Sequence, residues 1–112
     1  MSHDLEVDFE GAAKLAGEGH KVFVFINNAS ELEFVREALG AGDGISNIDI
    51  LIARQIVFGD KVDLGNMAEE FRDSVIVCPH GRTSLKFAMA LADRGIRAYS
   101  LRGGIEGLKA RQ

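Results

Sequence analysis

An apolar run, Val75-Ile76-Val77, leads into Cys78-Pro79-His80-Gly81-Arg82-Thr83-Ser84 and then into an almost wholly apolar segment from Leu85 to Ala92; no other stretch constrains the fold as tightly. A short β-branched run bounded by loop residues marks a buried strand, whereas the apolar run that follows is too long for a second strand. The stretch therefore predicts a strand, a tight loop and a buried helix that opens at Ser84. Cys78, the only cysteine, stands at the hinge. The first N–H groups of such a helix have no intrahelical partners, and with the positive end of the helix dipole they face the sulfur. Surroundings of this kind favour the nucleophilic thiolate over the thiol.

The preceding chain supplies strands and helices in alternation. Phe9, Ala12, Ala13 and Ala16 recur at helical spacing after Asp8, and Gly17 and Gly19 end the pattern. Val22-Phe23-Val24-Phe25-Ile26 is a continuous β-prone run without alternation, which predicts a strand buried on both faces, as a parallel sheet requires. Ser30 and Glu33 form a capping-box pattern ahead of the stripe Leu32, Val35, Leu39, so a second helix is expected to end near Gly40. After the glycine-rich loop from Ala41 to Ser46, Ile48, Ile50, Leu51 and Ile52 predict a strand, and Ile56-Val57-Phe58 a second short one. Asp63 to Phe71 is a further helix candidate, with Leu64, Met67 and Phe71 on one stripe.

Beyond the central stretch, Gly95 is placed to end its helix. Arg97 to Leu101 reads as a last strand, and Ile105 to Arg111 as a final helix with basic residues at its C-terminal end. Helices alternating with strands imply an α/β fold around a parallel sheet. With 112 residues and neither repeat nor low-complexity segment, the chain reads as one domain, residues 1–112, large enough to bury a core.

Charge and cysteine count narrow the function. Seventeen acidic against 13 basic residues leave a net charge of −4, and no basic patch offsets it, so neither nucleic acid nor an anionic membrane is expected as a partner. No apolar run reaches the ~18 residues of a membrane span, and Met1 to Glu10 lacks a secretory pattern, so a cytoplasmic protein is expected. A single cysteine excludes an internal disulfide and argues against a cysteine-rich metal site; no metal or cofactor is expected.

The loop C-x-x-G-x-T-S after a buried strand, followed by an apolar helix and by Leu101-Arg102-Gly103-Gly104-Ile105-Glu106-Gly107-Leu108, resembles the rhodanese-like domain. That family carries a Cys-led loop and, further on, an L-x-G-G-I-x-x-(W or L) segment. Upstream, Glu33 and Phe34 match the end of its D-V-R-x-P-x-E-(F or Y) motif. The resemblance implies a three-layer fold with a central, mostly parallel sheet flanked by helices. It also implies a sulfurtransferase or persulfide sulfur carrier. Cys78 matches the nucleophile that holds a sulfane sulfur as a persulfide, and Gly81 matches the loop glycine. Thr83 stands where thiosulfate and mercaptopyruvate sulfurtransferases of the family carry Thr. Gly103 and Gly104 match the turn that brings the last strand's exit beneath the active loop, where side chains would collide.

The chain departs from the family at Pro79, which replaces a frequent Arg and removes a cation and one backbone donor, and at Asn27 and Ala29, which stand in place of an Asp and an Arg. In the related cell-cycle phosphatases the loop is longer and an Arg stands where this chain has Ser84, which disfavours a phosphatase.

Sulfur transfer by double displacement needs an ionised nucleophile. Donors from the Gly81 to Ser84 backbone and the hydroxyls of Thr83 and Ser84 suit a thiolate and a persulfide anion, while His80 and Arg82 are placed to steer an anionic donor such as thiosulfate. With no second cysteine to resolve the persulfide, the acceptor has to be external: a thiol, cyanide or a sulfur-acceptor protein. The rival reading is a non-catalytic rhodanese-like module that docks a protein partner. Elsewhere, His3, His20 and Arg102 are expected at the surface, Ser84 also serves as an N-cap, Glu69, Glu70 and Asp73 form a solvated helix end, and Met67 and Met89 belong to the core.

Overall fold

The computed structural model describes residues 5–26, 28–51 and 65–111. Its elements are β1 (Glu6–Val7), α1 (Phe9–Gly17), β2 (Val22–Phe25), α2 (Ala29–Leu39), β3 (Ile45–Ile48), a 3-10 helix (Gly65–Phe71), β4 (Val75–Val77), α3 (Arg82–Ala92), β5 (Tyr99–Leu101) and α4 (Gly104–Ala110). The strands form one five-stranded sheet in the order β1-β5-β4-β2-β3. Every described pairing is parallel. The expected α/β fold with a helix-flanked parallel sheet is the fold observed.

Side-chain alternation along each strand divides the core between the two faces of the sheet. Val22, Val24, Ile26, Val75, Val77 and Leu101 point to one side, where they meet Ala12 and Ala16 of α1, Val35 and Leu39 of α2, and Ile105 and Leu108 of α4. Phe23, Phe25, Ile76, Cys78 and Ala98 point to the other, against Phe71, Phe87, Leu91 and Ile96. This second face is aromatic: Phe87 meets Phe25 edge-on at 5.0 Å and Phe71 at 4.9 Å, and Phe71 meets Phe23 at 4.6 Å. Such tilted pairs add roughly 0.5–1.5 kcal/mol each beyond the area they bury. Together these contacts clamp α3 and the 3-10 helix to the face that carries Cys78.

Several local expectations change. β1 went unread because two residues carry no periodicity; it exists through its partner, with Leu5 and Val7 carbonyls accepting from Ser100 and Arg102 N–H at 2.6 and 2.9 Å. The α2 cap is Asn28, not Ser30. Asn28 Oδ1 accepts from Glu31 N at 2.8 Å while its Nδ2 donates to Glu31 Oε1 at 3.0 Å, and Ser30 Oγ donates to Asn28 Oδ1 at 2.8 Å. The reciprocal box thus forms two residues earlier than Ser30 and Glu33 suggested, because α2 begins at Ala29.

The strand expected across Ile48 to Ile52 starts and ends sooner, at Ile45–Ile48. Asp49 then accepts from Leu51 N at 2.8 Å, and Ile50 and Leu51 are already helical. The candidate helix at Asp63 to Phe71 is a 3-10 turn from Gly65. Ile52, the Ile56-Val57-Phe58 strand, Asp63, Leu64, His3 and Asn27 lie outside the described residues, as does the side chain of Met67. Met89 is not core; it stands on the outer side of α3, 50 % exposed. His20 is half-buried, its Nδ1 donating to the Asp73 carbonyl at 2.7 Å. Arg102 is exposed, as expected.

Candidate functional site

The loop after β4 is held from below by α4. The carbonyls of Cys78 and Pro79 accept hydrogen bonds from Ile105 N and Glu106 N, both at 3.0 Å. These are N–H groups at the start of a helix, which have no acceptor within it. A trans peptide sets its N–H opposite its carbonyl, so binding the Pro79 carbonyl aims the His80 N–H away from α4. The Cys78 carbonyl belongs to the peptide whose nitrogen is that of Pro79, so the face of that peptide opposite α4 carries no N–H, which is the backbone donor that Pro79 removes.

Two glycines permit this approach. Gly104 sits at φ +60°, and a Cβ there would overlap the Cys78 carbonyl oxygen and lie 2.7 Å from Gly81 N. Gly81 sits at φ +85°, and its Cβ would come within 2.9 Å of Gly103 N and 3.2 Å of Leu101 O. Both positions thus combine a left-handed backbone with contact against another backbone, which no residue with a side chain accommodates. The collision expected from Gly103-Gly104 therefore falls on Gly104 and Gly81.

With its carbonyls turned down, the loop turns donors onto the sulfur. Gly81 N donates to Cys78 Sγ at 3.1 Å and Ser84 N at 3.3 Å, while the thiol donates to Ser84 Oγ, 3.2 Å away. The helix opens at Arg82, two residues earlier than expected, with Gly81 as its N-cap. Ser84 is consequently not a cap. It lies in the first turn with its side chain turned inward, fully buried, and its Oγ is 2.7 Å from Ser100 Oγ on β5. Cys78 is itself 2 % exposed and forms part of the floor of a cleft of about 200 Å³. Among the described residues, Ile50, Pro79, His80, Arg82 and Thr83 also line it.

The residues singled out in the sequence therefore divide by task. Gly81 and Ser84 hold the sulfur from behind, whereas His80, Arg82 and Thr83 face the cleft; His80 and Arg82 are exposed at its mouth, and the Arg82 guanidinium places a positive charge there in a chain of net charge −4. Two residues of the site escaped the sequence reading. Ile50 was assigned to a strand. Ser100 lay within a strand pattern, where the available signal was a hydroxyl on the inward parity of Ala98 in an otherwise apolar run. Ala29 starts α2 and is exposed. Among the described residues, no group of three or more His, Cys, Asp or Glu is gathered as a metal site. No helix among them is long and apolar enough to cross a membrane.

Fold and site together define a three-layer α/β protein with one cysteine cradled by backbone donors in a strand-to-helix loop. No family model, curated protein or solved structure matches the chain.

Proposed function

We propose that this chain is a rhodanese-like sulfurtransferase, or a persulfide sulfur carrier, acting through a persulfide on Cys78. The observation that carries the reading is the set of partners on Cys78 Sγ: two backbone N–H groups donate to it and the buried Ser84 hydroxyl, which accepts from the thiol, lies 3.2 Å away, around a sulfur that lies at the floor of a cleft. Fixed donors of this sort stabilise negative charge without reorganisation, and both the attacking thiolate and the product persulfide are anions.

In the first half-reaction the Cys78 thiolate, its proton released to solvent, attacks the outer sulfur of thiosulfate. The sulfur–sulfur bond of the donor breaks, its electron pair leaves on sulfite, and a persulfide anion remains on Cys78. An external thiolate or cyanide then attacks that outer sulfur, the new sulfur–sulfur bond breaks, and the Cys78 thiolate returns. The sulfane sulfur carries its oxidation level through both steps, so no further oxidant enters. Arg82 and His80 at the mouth suit a small dianionic donor. A lone unpaired thiol suits a reducing, cytoplasmic setting.

Intact mass spectrometry before and after thiosulfate, beside Cys78→Ser, tests the proposal. A gain of one sulfur on the wild-type chain alone is expected; no gain with thiosulfate, mercaptopyruvate or a protein persulfide as donor would overturn it. The second reading, a non-catalytic module that docks a protein, is favoured by the 2 % exposure of Cys78 and is the one such a negative result would leave.

A further inference from the structure

Behind Cys78 the polar contacts continue into the core. Ser84 Oγ joins the sulfur at 3.2 Å to Ser100 Oγ at 2.7 Å, and both serines are 0 % exposed. Ser100 pairs in register with Ile76 of β4 and shares the sheet face of Ala98, beneath α3. Its surroundings are those of an apolar core residue, and a buried hydroxyl is costly unless it is hydrogen-bonded. The loop and the sheet thus share one line of three polar side chains in an otherwise hydrocarbon layer.

We propose that Ser100 is a positioning residue for the Cys78 nucleophile, acting through Ser84. The proposal rests on the reading that Cys78 works as an anion. With the thiol present, S–H donates to Ser84 Oγ and the Ser84 proton is available to Ser100. With a thiolate or persulfide, the Ser84 hydroxyl turns to donate to sulfur, and its oxygen is then free to accept from the Ser100 hydroxyl. Two rotations of hydroxyl groups convert one arrangement into the other without moving a heavy atom. In the anionic arrangement Ser100 polarises the very O–H that meets the charge, and hydrogen bonds in a chain ending on an ion are stronger than the same bonds between neutral groups. Ser100 therefore favours the anion although it does not touch it. Among the described residues the titratable or charged groups on the cleft are His80 and Arg82, both exposed, and no buried one is charged, so among them the hydroxyl line is the internal polar contact to the sulfur besides the backbone.

The test compares alkylation of Cys78 by iodoacetamide, across pH, in the wild-type chain, Ser100→Ala, Ser100→Thr and Ser100→Val. Thr and Val have the same shape, so any cost of overpacking is common to both and only the hydroxyl differs. Alkylation at neutral pH is expected to slow about fivefold in Ser100→Ala and Ser100→Val, the effect of about one hydrogen bond. Their rate–pH profiles should move to higher pH, and Ser100→Thr should restore both readouts. Circular dichroism on each variant establishes folding. Equal rates and profiles in folded Thr and Val variants would overturn the proposal, as would a wild-type profile in Ser100→Ala. Sulfur loading is scored separately: a wild-type chain that takes no sulfur from thiosulfate, mercaptopyruvate or a protein persulfide refutes the sulfurtransferase reading, while the Thr and Val comparison still decides the role of Ser100.

Discussion

The Cys78 carbonyl lies directly against Gly104, so close that a Cβ on Gly104 would overlap its oxygen, and the same oxygen accepts from Ile105 N at 3.0 Å. Two segments far apart in the chain meet backbone to backbone at this point. The contact orients the loop that presents Cys78, so the final turn of the sheet acts on the site without contributing a side chain to it.

Gly104→Ala therefore places a methyl group where the carbonyl stands and imposes a side chain on a residue at φ +60°. Overpacking and left-handed strain each cost about 1–3 kcal/mol. A loss of roughly 3 kcal/mol or more is expected in urea unfolding, with slower alkylation of Cys78 in whatever fraction remains folded. Stability equal to wild type would show that the loop and α4 separate readily.

Ser84→Ala removes the hydroxyl between Cys78 and Ser100 but leaves its backbone N–H, 3.3 Å from the sulfur, in place. Ser100 then keeps a buried hydroxyl without this partner, which costs about 1–3 kcal/mol. Denaturant titration should register that loss, and alkylation of Cys78 should slow by more than in Ser100→Ala, because the group touching the sulfur is gone.

Asn28→Ala and Ser30→Ala separate the two candidate caps of α2. Asn28 Oδ1 takes the Glu31 N–H at 2.8 Å, whereas Ser30 only donates to Asn28. Loss of an N-cap costs about 1 kcal/mol. Thermal melts should show that loss for Asn28→Ala and a smaller one for Ser30→Ala; the reverse order would return the cap to Ser30.

The Glu69 carboxyl is held below its ordinary value of 4.5, first by the side-chain hydrogen bonds from Arg72 and also by that residue's charge. Both bonds measure 2.8 Å. A depressed carboxylate stabilises the fold above its unfolded value and loses that contribution as pH falls through the folded one, so the window lies at and below pH 4.5. In Arg72→Ala, side-chain carboxyl NMR should place the Glu69 titration back near 4.5. Because the pair is solvent-exposed, thermal stability at neutral pH should change little.

Much of the fold was legible because its signals are local. Val22 to Ile26 and Val75 to Val77 are unbroken apolar runs, which only a strand covered on both faces can bury, and the strand, loop and helix about Cys78 followed directly. Where the reading failed, two local patterns competed or none existed. Asn28 and Ser30 are both good caps, and the start of α2 at Ala29 chose between them. Met89 continues an apolar helical stripe in sequence, yet α3 buries Phe87, Ala88 and Leu91 and leaves Met89 half exposed. Helical spacing gives an apolar arc without saying how much of it a neighbour covers.

By itself, the sequence determined the parallel α/β class, the place of the lone thiol between strand and helix, and the glycines of the loop and of the last turn. Those are consequences of apolar periodicity and backbone stereochemistry, which act within a few residues. Tertiary structure alone decided that β1 pairs with β5, that α4 binds the carbonyls of Cys78 and Pro79, and that Ser100 stands behind Ser84. Each of these depends on strand order and register, which bring residues together across long stretches of chain, and a lone serine in an apolar strand carries no mark of the partner it will meet.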